Sequence, residues 1–121
     1  MRAPQARCHA VRRTHDEAWA DDLRVEPDGL TRFQHRAPHA LAEAGHALRE
    51  REVRQLVGGG AGDLYVTGIA GRSDARVYVY RDGVELRTGV EELRLERDDA
   101  ATPDAMLAAL ADAIGRVDAR P

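Results

Sequence analysis

Hydrophobic and polar positions recur along this chain with two different periods, and the change of period divides it into elements. Met106, Leu107, Leu110, Ile114 and Val117 fall on one side of a helix with 3.6 residues per turn. Thr102-Pro103-Asp104 opens that helix: Thr as N-cap, Pro where a missing N–H costs nothing, Asp at the positive end of the dipole. Upstream the period drops to two. In RVYVYRDGVELR, residues 76–87, Val77, Val79, Val84 and Leu86 take one side of a sheet and Tyr78, Tyr80, Glu85 and Arg87 the other. Asp82-Gly83 is a favoured two-residue hairpin loop, and pairing outward from it sets Tyr80 against Glu85 and Val79 against Leu86.

Further strands are expected in DLYVTGIA (63–70) and in EELRLER (91–97), where Leu93 and Leu95 point inward, with GRSD (71–74) as a turn. Thr14 followed by Glu17 is a capping-box pattern and predicts a short helix carrying Trp19. LRVEPDGLTRF (23–33) reads as a β-hairpin turning at Glu26-Pro27-Asp28-Gly29. Pro38 suits a first helical turn and predicts a helix from about residue 39 through 56, stopped by Gly58-Gly59-Gly60. The fold class is therefore α+β: an antiparallel β-sheet, a hairpin plus a three- to four-strand meander, with helices packed against it. Residues 1–13 lack acids and periodicity and read as a flexible N-terminal tail; 14–121 form a single α+β domain with a Gly-rich connection at 58–62.

Composition narrows the class of molecule. All 18 basic residues are Arg and Asn is absent, a bias that points to a GC-rich, bacterial coding sequence and warns against reading each Arg as a recognition device. The net charge of −3 argues against a sequence-independent nucleic-acid binder, which needs a basic face. No apolar run approaches the roughly 20 residues that span a bilayer, and no apolar segment follows the basic start, so neither a membrane protein nor a secretory signal is expected and the default location is cytoplasmic. Cys8 is the single cysteine and reads as an incidental thiol.

Candidate chemistry is sparse. In HALAEAGHALRE (39–50) the residues His39, Glu43, His46 and Glu50 share one side of a helix, at roughly 140–200° when Leu41 is set at zero. That side lies opposite Ala44 and Leu48, so it is expected to face water, whereas bundle metal sites turn their ligands inward. The alternative is a metal-binding protein or metal-dependent enzyme holding zinc or iron on His39, Glu43 and His46, with His35 or Glu50 completing the shell. VGGGAGD (57–63) follows an expected helix and precedes a strand, the reverse of a phosphate loop, and the chain has no Lys. Ser73, the only serine, stands in a turn sequence without a nucleophile elbow. No catalytic residue is assigned and no cofactor is expected outside the metal alternative.

Two surfaces stand out instead. Tyr78 and Tyr80, with Arg87, make an amphipathic strip on the sheet face away from the Val/Leu side, of the kind favoured at protein contacts; the competing expectation is that the 39–56 helix packs over it. Glu91, Glu92, Glu96, Asp98 and Asp99 form an acidic cluster that would attract a basic partner, or else serve as a solvated loop with helix-dipole charge. The order of elements resembles small bacterial secretion-chaperone-like and toxin-immunity proteins in architecture alone, with no motif behind it. The expected function is thus a non-enzymatic protein-interaction module of regulatory, chaperone-like or immunity-like type. Its expected partner is another protein, a basic one at the acidic cluster, with a homodimer as a further option.

Overall fold

In the computed structural model, residues 17–55 and 63–118 are described. The expected tail at 1–13 and the Gly-rich connection at 58–62 lie outside them. The first described helical turn, α1 (17–20), buries Trp19 completely against Phe33, with ring centroids 5.1 Å apart. The Trp19 indole N–H donates to the Ala100 carbonyl at 3.4 Å, so the ring is anchored at its one polar atom.

The stretch 23–33 turns as expected but does not extend into two strands. Gly29 takes a φ of 90° and its N–H bonds the Glu26 carbonyl, yet the only ladder contact is a single bridge between Val25 and Thr31. Thr31 has a second task. Its hydroxyl accepts from the Gln34 backbone N–H while the Gln34 side chain accepts from the Thr31 N–H at 2.8 Å, a capping box that starts helix α2 (Arg32–Glu43). The Gln34 amide also donates to the carbonyls of Asp63 and Val79, so the first turn of α2 is tied to the sheet.

Helix α2 therefore begins earlier and ends earlier than the expected 39–56. Pro38 lies inside it, where it forfeits one backbone hydrogen bond. The helix stops at Gly45, which has φ 92°. The Gly45 N–H reaches the Ala42 carbonyl and the His46 N–H reaches the Leu41 carbonyl, the paired bonds of a Schellman ending that need a left-handed residue. The chain then runs extended through Leu48, which bridges Ile69, into strand β1 (Glu52–Gln55).

Five strands form one antiparallel sheet in chain order: β1, β2 (Asp63–Ile69), β3 (Arg72–Val79), β4 (Val84–Arg87) and β5 (Glu92–Leu95). The turn between β2 and β3 is Ala70-Gly71, so Ser73 and Asp74 belong to β3 and not to a GRSD turn. Between β3 and β4 the Tyr80 N–H bonds the Gly83 carbonyl, and Val79 pairs with Val84, Tyr78 with Glu85 and Val77 with Leu86. This register is two residues away from the expected one. Because side chains alternate with period two, an even shift keeps every residue on its face. At Gly83 a Cβ would stand 2.9 Å from the Leu95 carbonyl oxygen, closer than β5 could tolerate.

A 3₁₀ turn (Arg97–Asp99) leads to helix α3 (Pro103–Asp118). The Thr102 hydroxyl accepts from the Ala105 N–H at 3.0 Å, as an N-cap should. Met106, Leu107, Leu110, Ile114 and Val117 are all buried, on β4 and β5 and against α2. One core thus joins the helices to Tyr65, Val77, Val79, Val84 and Leu86 of the sheet. The Arg36 guanidinium locks the layer from the side by bonding both Asp22 and Asp104. No helix among the described residues is long and apolar enough to cross a membrane.

Candidate functional site

The face of the sheet turned away from that core carries the most organised polar group among the described residues. Directly paired residues of an antiparallel sheet share a side, so the register sets a row across it: Glu52 on β1, Val66 on β2, Tyr78 on β3, Glu85 on β4 and Arg94 on β5. Next to it runs Arg76 beside Arg87 beside Glu92. Leu64 and Val66 lie on this face and are buried, yet belong to no part of the main core.

Glu85 sits at the centre. Its side chain is only 2% exposed although it stands on the outer face, and it is ion-paired to Arg87, which is 56% exposed. Arg87 also lies 5.4 Å over the Tyr78 ring and 3.6 Å from Glu92, so one guanidinium covers an aromatic face and touches two carboxylates. Tyr80 reaches Glu85 through its hydroxyl at 3.5 Å. Burial, with the Glu85 carboxylate adding to it, holds the Tyr80 phenol above the usual tyrosine range. Tyr78, Tyr80 and Arg87 are therefore brought together as one cluster. The residue that organises them, Glu85, was legible as a member of this face; its burial was not, because it depends on three neighbours from two strands.

The helix expected over 39–56 to cover this face does not exist as such: residues 39–55 divide into the end of α2, a turn, an extended run and β1, and Leu56 lies outside the described residues. The same break scatters the His/Glu stripe. His39 and Glu43 are exposed on α2; His46 lies beyond the helix with its Nε2 3.1 Å from the Ala111 carbonyl oxygen, and Glu50 is exposed ahead of β1. His35 faces Asp28 at 2.8 Å, and that bond holds the Asp28 carboxyl below its usual range. Among the described residues no three His, Cys, Asp or Glu side chains gather in a way that could hold a metal ion.

The acidic cluster is engaged locally. Glu91 closes the β4–β5 turn, where its N–H bonds the Thr88 hydroxyl at 2.9 Å. Glu92 pairs with Arg87 and Glu96 with Arg94 at 3.1 Å. Asp99 accepts from the Glu96 N–H at 2.8 Å, capping the 3₁₀ turn, and Asp98 is exposed beside it. The carboxylates of Glu92, Glu96 and Asp99 thus serve a cap and neighbouring arginines, while Glu91 serves the turn through its backbone.

Arg76 differs from its neighbours. It is exposed, has no ion-pair partner among the described residues, and faces Arg87, itself paired with Glu85 and Glu92, directly across the β3–β4 ladder. A cavity of about 150 Å³ opens beside it, lined also by Arg49, Glu50, Glu52, Thr67 and Ser73, with neither carboxylate within ion-pair distance of Arg76. No family model, curated protein or solved structure matches this chain.

Proposed function

We propose that the chain is a protein-interaction module, not an enzyme, and that its outer sheet face docks an acidic segment of a partner protein. The observation that carries this reading is Arg76: an exposed guanidinium without a counter-ion among the described residues, set against Arg87 and two positions from Tyr78 on the same face of β3. A carboxylate placed there gives Arg76 the counter-charge that Glu85 and Glu92 already give Arg87, and the adjacent ring offers rigid area of the kind enriched at contacts. The acidic cluster supports a basic partner less well, since three of its five carboxylates, Glu92, Glu96 and Asp99, already serve a cap and ion pairs.

Selection of a displayed library of random peptides on the immobilised protein tests the reading. The selected sequences are expected to be rich in Asp and Glu, and to bind about tenfold more weakly once Arg76→Glu or Tyr78→Ala is introduced, each of those contacts being charged or aromatic. Selected peptides without acidic enrichment, or with unchanged affinity for the Arg76→Glu protein, would overturn it.

A further inference from the structure

Strand β1 forms one edge of the sheet, and among the described residues it pairs only with β2. All four of its residues are exposed. Val53, paired with the core residue Tyr65, points to the helix side of the sheet, yet it remains 53% exposed, because the helical layer is packed over the β4–β5 end. An uncovered edge with an exposed valine is a pairing template unless something occupies it.

We infer that β1 pairs with β1 of a second copy, antiparallel and centred on Val53. Only a two-fold axis perpendicular to the sheet sets two copies of one edge side by side in opposite directions. Such an axis keeps the helix side of both copies on the same side, so opposed residues must share a face and the register must centre on a residue. Centring on Val53 sets Glu52 opposite Arg54 of the second copy and Arg54 opposite Glu52, with the two valines in contact on the axis and Arg51 opposite Gln55. Centring on Glu52 or on Arg54 instead sets two like charges face to face on the axis, which disfavours those registers. Within one chain Glu52 and Arg54 already lie 3.1 Å apart and well exposed; the two-fold exchanges those two contacts, one in each copy, for two across the interface.

A short edge buries little area, so the product is a weak dimer seen at high protein concentration. It joins two outer faces into one ten-stranded surface, and it stands whether or not those faces bind an acidic partner. The test is sedimentation equilibrium of the full chain over a concentration series, alone and as Glu52→Arg and Arg54→Glu variants, with circular dichroism as a check on folding. The wild type is expected to pass from monomer to dimer as concentration rises. Each variant places like charges across both contacts and is expected to stay monomeric. An equimolar mixture of the two variants restores opposite charges at both contacts and is expected to recover the dimer, a result that the contact within one chain cannot produce. A wild type that stays monomeric at millimolar concentration, a single variant that associates like the wild type, or a mixture that stays monomeric each overturns the proposal.

Discussion

On one side of β3 and β4, Val77, Val79, Val84 and Leu86 are almost completely buried under the helical layer. On the other side of the same two strands, Tyr78, Tyr80, Glu85 and Arg87 hold one another while the helices place their buried side chains elsewhere. The first face is stabilised by area removed from water, a non-directional gain shared over many contacts. The second depends on a few directional contacts around one buried carboxylate, so losing one partner leaves a charge uncompensated. Burial alone is therefore no guide to what a side chain does here: Glu85 is as buried as Leu86, by different physics.

The comparison can be tested hardest by truncation. Leu86→Ala removes core packing and is expected to lower unfolding free energy by about 2–5 kcal/mol in chemical denaturation. Tyr78→Ala on the opposite side is expected to cost about 1 kcal/mol. Equal losses would mean that the outer face is a second core.

A smaller effect is expected from Arg87→Ala. It leaves Glu85 buried without its guanidinium, but Arg87 is more than half exposed, so water replaces much of the interaction and the loss stays well below that of Leu86→Ala. Combining Arg87→Ala with Glu85→Gln in a double-mutant cycle should recover part of that loss, and strict additivity would separate the two residues energetically.

The smallest effect has the opposite sign. Tyr65, on the core face, buries a hydroxyl that has no hydrogen-bond partner among the described residues, so Tyr65→Phe is expected to stabilise the protein by about 1 kcal/mol. Burial also raises the Tyr65 phenol above its ordinary value of 10.0. Above that pH the folded chain keeps a proton that the unfolded chain releases, so stability falls as pH rises. The slope between pH 10 and 11 should be shallower in Tyr65→Phe, with Tyr80, raised in the same direction, supplying the remainder. An unchanged alkaline slope would remove Tyr65 as its source.

How far the residues could be read differs along the chain. Helix α3 was legible almost to the residue, because Thr102, Pro103 and the apolar stripe are local signals pointing one way. The sheet faces were legible too, and survived a two-residue change of register. Over residues 31–55 expectation and structure differ for an identifiable reason. Thr31-Arg-Phe-Gln34 is a capping box and Gly45 a helix ending, both readable locally, but the first was absorbed into an expected hairpin and the second into a longer helix. Once Gly45 ends α2, His46 and Glu50 no longer follow His39 and Glu43 along one side, and the covering helix for the tyrosine face disappears.

By itself the sequence determined which residues alternate, which side chains share a face, and where α3 begins, since these follow from chirality, capping chemistry and period. Tertiary structure alone decided that Glu85 is buried between Arg87 and two tyrosines and, among the described residues, that Arg76 faces Arg87 without a counter-ion and that β1 is left as an uncovered edge. Those outcomes depend on strand register and on where the helices come to rest, which are settled by contacts between residues far apart in the chain and leave no periodic trace in it.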